Sequence, residues 1–251
     1  MIAYITGASS GFGKAIALKL AQNNYDVIIS GRRENLLRTL ESEIKTKYKR
    51  EVLVLAYDVR NRQQTLDINN NLPEKWKQID VLVNNAGLAA GLDTIQEGNI
   101  DDWEQMIDTN LKGLLYVTRS IVPLMIKRNK GHIFNIGSIA GKEVYPKGNV
   151  YCATKFAVDA LNKAMRIDLL PAGIKVTQLA PGAAETEFSL VRFKNDKTAA
   201  DKVYKGYTPL YANDIANIVA FVLSLPEHVC INDMVITCTA QACATQFHKE
   251  E

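Results

Sequence analysis

Residues 2–14, Ile2-Ala3-Tyr4-Ile5-Thr6-Gly7-Ala8-Ser9-Ser10-Gly11-Phe12-Gly13-Lys14, decide the fold. Ile2–Ile5 is a short apolar run of the kind that forms a buried strand. From Lys14 to Asn23 apolar residues recur at helical spacing. The connection carries Gly7, Gly11 and Gly13, with Ser9, Ser10 and Phe12 between them, in the spacing G-x-x-x-G-x-G. Glycines let a backbone turn tightly and come close to a pyrophosphate, and the helix N-terminus that follows favours the anion. A glycine loop alone is weak evidence. Its place between a strand and a helix gives it weight.

Outward from this stretch the chain alternates. Strands are expected at Ile2–Ile5, Val27–Ser30, Val52–Tyr57, Val81–Asn84, His132–Ile136, Lys175–Leu179 and Met234–Cys238. These are aliphatic and β-branched runs, as buried parallel strands require. Helical patterns lie between them at Lys14–Asn23, Glu34–Lys47, Gln63–Asn71, Asp102–Lys127, Val150–Leu170 and Asn213–Leu225, and Pro123 is expected to interrupt the fourth. Repeated β-α-β units imply an α/β fold: one Rossmann-type, doubly wound parallel sheet of about seven strands with helices on both faces. The expectation is a single domain over residues 1–251, with a polar substrate loop at about 183–211.

Composition agrees with a large core: 47% of the 251 residues are hydrophobic. The net charge of +3 comes from scattered basic residues, which does not suggest nucleic acid. A strand begins almost at the first residue, and the longest apolar run, Ile218–Leu223, is too short for a membrane span. Cys152, Cys230, Cys238 and Cys243 show no C-x-x-C spacing, and His132, His228 and His248 are far apart in sequence. The expectation is a reduced, cytoplasmic, metal-free protein.

The strand ends carry the candidate site. The second strand ends in Gly31-Arg32-Arg33, where a carboxylate would bind an adenosine ribose and arginine accommodates a 2′-phosphate; NADP is therefore expected over NAD. Asp58, with Val59 beside it, follows the third strand and can accept a hydrogen bond from an adenine amino group. Asn84-Asn85-Ala86-Gly87 ends the fourth, where small residues let a ribose lie on the backbone. Ser138 ends the fifth, and Tyr151 and Lys155 lie four apart on a helix, hence on one face. A free phenol has a pKa of about 10, and a neighbouring cation lowers it. Such a tyrosine can exchange a proton with a substrate oxygen that Ser138 also holds, which is what interconverting an alcohol and a carbonyl needs. Asn110 falls inside a helical pattern that suits asparagine poorly. Pro181-Gly182-Ala183-Ala184-Glu185-Thr186 makes another turn at a strand end, and Glu187–Tyr211 is a charged insert of the length that forms a lid or binding loop.

With these residues collected, the sequence resembles the short-chain dehydrogenase/reductase family over nearly its whole length. The motifs are T-G-x-x-x-G-x-G at Thr6–Gly13, N-N-A-G at Asn84–Gly87, then Asn110, Ser138, Y-x-x-x-K at Tyr151–Lys155 and P-G-x-x-x-T at Pro181–Thr186. The stretches Gly31–Arg33, Asp80–Leu88, Trp103–Asn110 and Thr186–Phe193 are most similar to the NADP-dependent 3-hydroxy acid (serine-type) dehydrogenases, also described as malonic semialdehyde reductases.

The resemblance implies Tyr151 as acid/base, Ser138 on the substrate oxygen, Lys155 on the nicotinamide ribose and lowering the Tyr151 pKa, and Asn110 holding a relay water. It implies Thr186 at the carboxamide, the cofactor bound by the loops just named, and a homotetramer. Where the subgroup's segment is glycine-rich, this chain has Ala183-Ala184-Glu185, which puts a carboxylate in question beside the nicotinamide. A short 3-hydroxy acid needs a cation for its own carboxylate; Arg192 is the first candidate and Lys147 the second. A general reductase of neutral ketones and aldehydes, and a non-catalytic NADP-binding protein, stay open as alternatives.

Overall fold

The computed structural model describes residues 1–250. In chain order, β1 (Ile2–Ile5), α1 (Gly11–Gln22), β2 (Asp26–Gly31), α2 (Glu34–Tyr48), β3 (Val52–Ala56), α3 (Arg62–Asn70) and β4 (Ile79–Asn84) form the first half. Then come α4 (Ile100–Ile107), α5 (Leu114–Ile126), β5 (His132–Ile136), α6 (Asn149–Asp168) and β6 (Lys175–Pro181). The insert contributes β7 (Ala184–Glu185), α7 (Phe188–Arg192), α8 (Lys197–Val203) and β8 (Leu210–Tyr211), followed by α9 (Ala212–Ser224) and β9 (Asp233–Ile236).

Seven strands make one sheet in the order β3-β2-β1-β4-β5-β6-β9, every pair parallel. Each expected strand and helical pattern is present. The order reverses beside β1, so the loops after β1 and β4 diverge and leave a crevice at the carboxyl edge. Alternate residues of each strand face opposite sides of the sheet. Ile5, Ile29, Val83 and Phe134 pack with Leu20 of α1 and Val219 of α9. Tyr4, Ile28, Leu82 and Ile133 pack on the other side with Val117 of α5 and Val158 of α6. All twelve are nearly or fully buried, and each such aliphatic or phenylalanine side chain contributes roughly 1.5–3 kcal/mol relative to exposure.

Two details differ from the sequence reading, and both matter for the site. The pattern over Asp102–Lys127 is not one helix. A π-helical turn at Asp108–Gly113 separates α4 from α5, whereas α5 runs through Pro123 to Ile126. The break falls at Asn110 because its side chain is engaged elsewhere, as described below. The insert is also not a plain loop: β7 and β8 pair in parallel, and α7 and α8 lie between them.

A buried polar chain sets the spacing of the elements under the site. Asn84 Nδ2 donates to Thr118 Oγ1 (3.0 Å) and Asn135 Oδ1 (2.9 Å), and Asn135 Nδ2 donates to Asn162 Oδ1 (3.0 Å). It ties β4, α5, β5 and α6 together. Among the described residues no helix is long and apolar enough to cross a membrane, no acidic, histidine or cysteine cluster suits a metal, and no cysteine is in a disulfide.

Candidate active site

The carboxyl edge of the sheet holds a cleft of about 310 Å³. One wall is the glycine loop. Gly7 adopts φ +64°, which a side chain would resist, and a Cβ there would lie 2.9 Å from Asn85 Nδ2. Thr6 Oγ1 accepts from the N–H groups of Asn85 and Ala86, both at 2.9 Å, and Asn85 Nδ2 donates to the carbonyls of Thr6 (2.8 Å) and Gly7 (3.1 Å). The glycine loop and the Asn-Asn-Ala-Gly turn are thus one hydrogen-bonded unit. Helix α1 starts at Gly11, three residues earlier than expected, so its first-turn N–H groups face the cleft.

Gly7, Ser9, Ser10, Gly11 and Phe12 line the cleft; Gly13 does not. A Cβ on Gly13 would meet Gly7 O at 2.3 Å, so its part is to let α1 press against the loop.

The far end is basic. Arg32 and Arg33 line the cleft with Asp58 and Val59. Arg33 Nη2 donates to Ser9 Oγ (3.1 Å), Ser10 Oγ (2.8 Å) and Glu187 Oε2 (2.9 Å). Asp58 is gripped from its own turn: Arg60 Nη2 donates to Oδ2 at 2.7 Å, and Arg60 Nε reaches both oxygens. Partial burial works the other way, yet Arg60 holds the Asp58 carboxyl below its ordinary value. Arg60 stands two residues after Asp58 and was the available sequence signal for this clamp.

At the near end Ser138, Tyr151 and Lys155 converge on the cleft. Ser138 caps a short 3₁₀ turn, accepting from Ala140 N at 3.1 Å, and that turn presses on α6 where a Cβ on Gly141 would lie 2.5 Å from Lys155 O. The serine is thereby placed against the Tyr/Lys face of the helix. Lys155 is buried and donates to Ile136 O at 2.9 Å, with two donors left. Burial takes its pKa down to about 8.

Burial also pushes the Tyr151 phenol well above its ordinary value. Arg192 works against that rise, helped by the Ser138 hydroxyl, and Lys155 Nζ lies 5.9 Å from the ring centre.

Asn110 sits behind the cleft. Its Oδ1 accepts from Leu88 N (2.8 Å), and Nδ2 donates to Leu88 O (2.8 Å) and Thr154 Oγ1 (3.1 Å). Both amide protons are used, so a water could be held only as a donor, to Oδ1 or to a main-chain carbonyl. These bonds explain the π turn: the side chain acts as a bridge from α4–α5 to the loop after β4 and to α6.

Pro181, Gly182 and Thr186 line the cleft with Ala184. Glu185 is exposed on β7 and does not line it, so no carboxylate from that position faces the nicotinamide side. Arg192 closes a smaller adjoining cavity that Tyr151 and Lys147 also line. Its guanidinium lies 5.0 Å from the Tyr151 ring centre and 5.1 Å from that of Phe188, Nη2 donates to Tyr145 OH at 2.7 Å, and the buried Nε has no partner. Lys147 carries φ +65° in the turn before α6. Tyr145, Glu187, Phe188 and Val191 escaped the sequence reading. Nothing local marks them, because they reach the site through contacts between distant segments.

The short chain dehydrogenase family profile matches residues 1–197. An NADP-dependent 3-hydroxy acid dehydrogenase of Salmonella typhi is 47% identical over 233 residues, 92% of each chain. One from Schizosaccharomyces pombe is 40% identical over 248 residues, covering 98% of this chain and 96% of the relative. Among solved structures, the closed form of serine dehydrogenase complexed with NADP+ superposes with a TM-score of 0.92 at 41% identity, over 100% of both chains. Serine dehydrogenase from Escherichia coli gives 0.83 at 38% identity, covering 96% of this chain and all of that one.

Proposed function

The chain belongs to the short-chain dehydrogenase family, and we propose that it is an NADP-dependent oxidoreductase acting at the 3-carbon of a short 3-hydroxy acid, or of the corresponding 3-oxo acid or semialdehyde. The cleft suits the cofactor: a side-chain-free glycine loop, a helix N-terminus and two arginines at its far end match a dinucleotide with an extra phosphate. Gly7 to Phe12, Asp58, Val59, Asn85 to Gly87, Pro181, Gly182 and Thr186 would hold it, with Gly13 shaping the loop and Arg32 and Arg33 taking the 2′-phosphate. The cofactor, when bound, would accept the hydride in alcohol oxidation and, in its reduced form, give it in carbonyl reduction.

In this reading the chain's own groups handle the proton and the position of the substrate. Ser138 Oγ holds the substrate oxygen, and Tyr151 gives it a proton in carbonyl reduction or takes one in alcohol oxidation. The raised phenol pKa keeps Tyr151 protonated at neutral pH, the form reduction needs. Lys155 has donors to spare for ribose hydroxyls. Asn110 holds the Leu88 segment and α6 in place, and any relay water sits on its remaining acceptors.

The observation that carries the substrate class is Arg192, a cation stacked beside the Tyr151 ring with a buried, unpartnered Nε. A buried carboxylate is costly unless paired, and this guanidinium is placed to pair it. Assembly as a homotetramer, which rests on family resemblance, and a cytoplasmic location, which rests on the cysteine pattern and composition, belong to the same proposal.

The test is a substrate panel. The purified protein with NADP should form reduced cofactor with L-serine or 3-hydroxypropionate at a higher kcat/KM than with neutral secondary alcohols of similar size. Preference for the neutral alcohols would favour a general carbonyl reductase instead.

A further inference from the structure

One cross-cleft link is left unused by that reaction: Arg33 Nη2, at the 2′-phosphate end, donates at 2.9 Å to Glu187 Oε2, 154 residues away on the substrate segment. Glu187 immediately precedes α7, and Arg192 is the last residue of that helix. Thr186 lies against the glycine loop, 3.5 Å from where a Cβ of Gly11 would be. The same Arg33 is held by the Ser9 and Ser10 hydroxyls. Nε and Nη2 make all of these contacts, and Nη1 takes no partner among the described residues, which leaves its donors for a phosphate oxygen.

Resting on the NADP-dependent reading above, we propose that Glu187 is a positioning residue that couples recognition of the cofactor's 2′-phosphate to closure of the substrate segment. Arg33 answers to both. A 2′-phosphate on the Nη1 donors holds the guanidinium from its open end, and a guanidinium so held fastens Glu187. Because Glu187 leads directly into α7, fastening it sets the start of the helix that ends at Arg192 and steadies Arg192 beside Tyr151 together with the ties at its far end.

The other end of the segment is tied independently. Gly91 N donates to Arg192 O at 3.1 Å, and Lys194 pairs with Asp102 at 2.9 Å. Loss of Glu187 therefore loosens one end of the segment and leaves it folded. Coupling of this kind is reciprocal, so the segment in turn retains the cofactor. The side chains of the pair are 45% and 46% exposed, and a pair so exposed contributes little to stability. Its consequence is where it holds the segment.

The test uses Glu187→Gln, which keeps shape and removes charge, alone and with Arg33→Ala. The readouts are NADP dissociation rate without substrate, and KM and kcat for L-serine or 3-hydroxypropionate at saturating NADP. Glu187→Gln should raise both the dissociation rate and the hydroxy acid KM about two- to fivefold, the span an exposed ion pair allows, without lowering kcat. In the Arg33→Ala background the same change should add nothing. Unchanged dissociation rate and KM, or an undiminished effect without Arg33, would overturn the coupling. If the wild type turned over no hydroxy acid, the substrate reading would fall while the dissociation rates still decided the link.

Discussion

The glycine loop and the segment from Thr186 to Tyr211 face each other across one cleft and are built in opposite ways. The loop is fixed by glycine main-chain geometry and by short bonds in which the Thr6 and Asn85 side chains meet the backbone of the neighbouring turn, and Gly13 permits the approach of α1. The segment is held mostly by side chains reaching to distant partners: Glu187 to Arg33, Lys194 to Asp102, and Tyr204 OH to Ala184 O at 2.7 Å. Backbone cradles recognise what all dinucleotides share. Side-chain ties can differ among enzymes without disturbing the sheet, and in this protein they carry the residues assigned to the substrate.

Between the two regions stands Tyr151, and removing its hydroxyl should have the largest effect. Tyr151→Phe deletes one exchangeable proton and leaves the cleft walls in place. Turnover should fall by about 10²–10⁴-fold while NADP affinity stays near that of the wild type. Single-turnover rates together with a cofactor titration check both halves, and near-normal turnover would end the assignment of the acid/base.

The cofactor side breaks more gently and in a different quantity. Replacing Arg32 and Arg33 together with Ala should weaken NADP binding by roughly ten- to more than a hundredfold, the effect of losing hydrogen bonds to a charged group. NAD binding should change much less, since the glycine loop keeps its bonds to Asn85 and loses only the Arg33 contacts to the Ser9 and Ser10 hydroxyls. Titration of both cofactors against both proteins reads this; equal losses for NAD and NADP would mean that the arginines support the loop and do not read the phosphate.

What was legible in the sequence follows the same division. Strands, helices, the glycine loop and the Ser138, Tyr151 and Lys155 constellation could be read because each rests on local periodicity or on spacing within one element. The π turn could not be read: it exists because Asn110 bonds to Leu88 and Thr154, and no pattern in residues 102–127 records those partners. Tyr145, Glu187, Phe188 and Val191 were missed for the same reason. The electrostatic reading of Tyr151 from its i+4 lysine was locally sound. In the protein burial raises the phenol pKa and Arg192 works against that rise, and both are products of the tertiary fold. Glu185 shows the converse, since a carboxylate that looked intrusive in sequence turns to solvent on β7.

The central claim is that the substrate segment brings a cation to a carboxylate beside Tyr151. Arg192→Ala tests it most directly, with steady-state kinetics on L-serine or 3-hydroxypropionate and on a neutral secondary alcohol of similar size, all at saturating NADP. KM for the hydroxy acid should rise about tenfold, the lower end of what a charge-assisted hydrogen bond contributes, while KM for the neutral alcohol should barely move. Equal changes for both substrates, or no change for either, would contradict it.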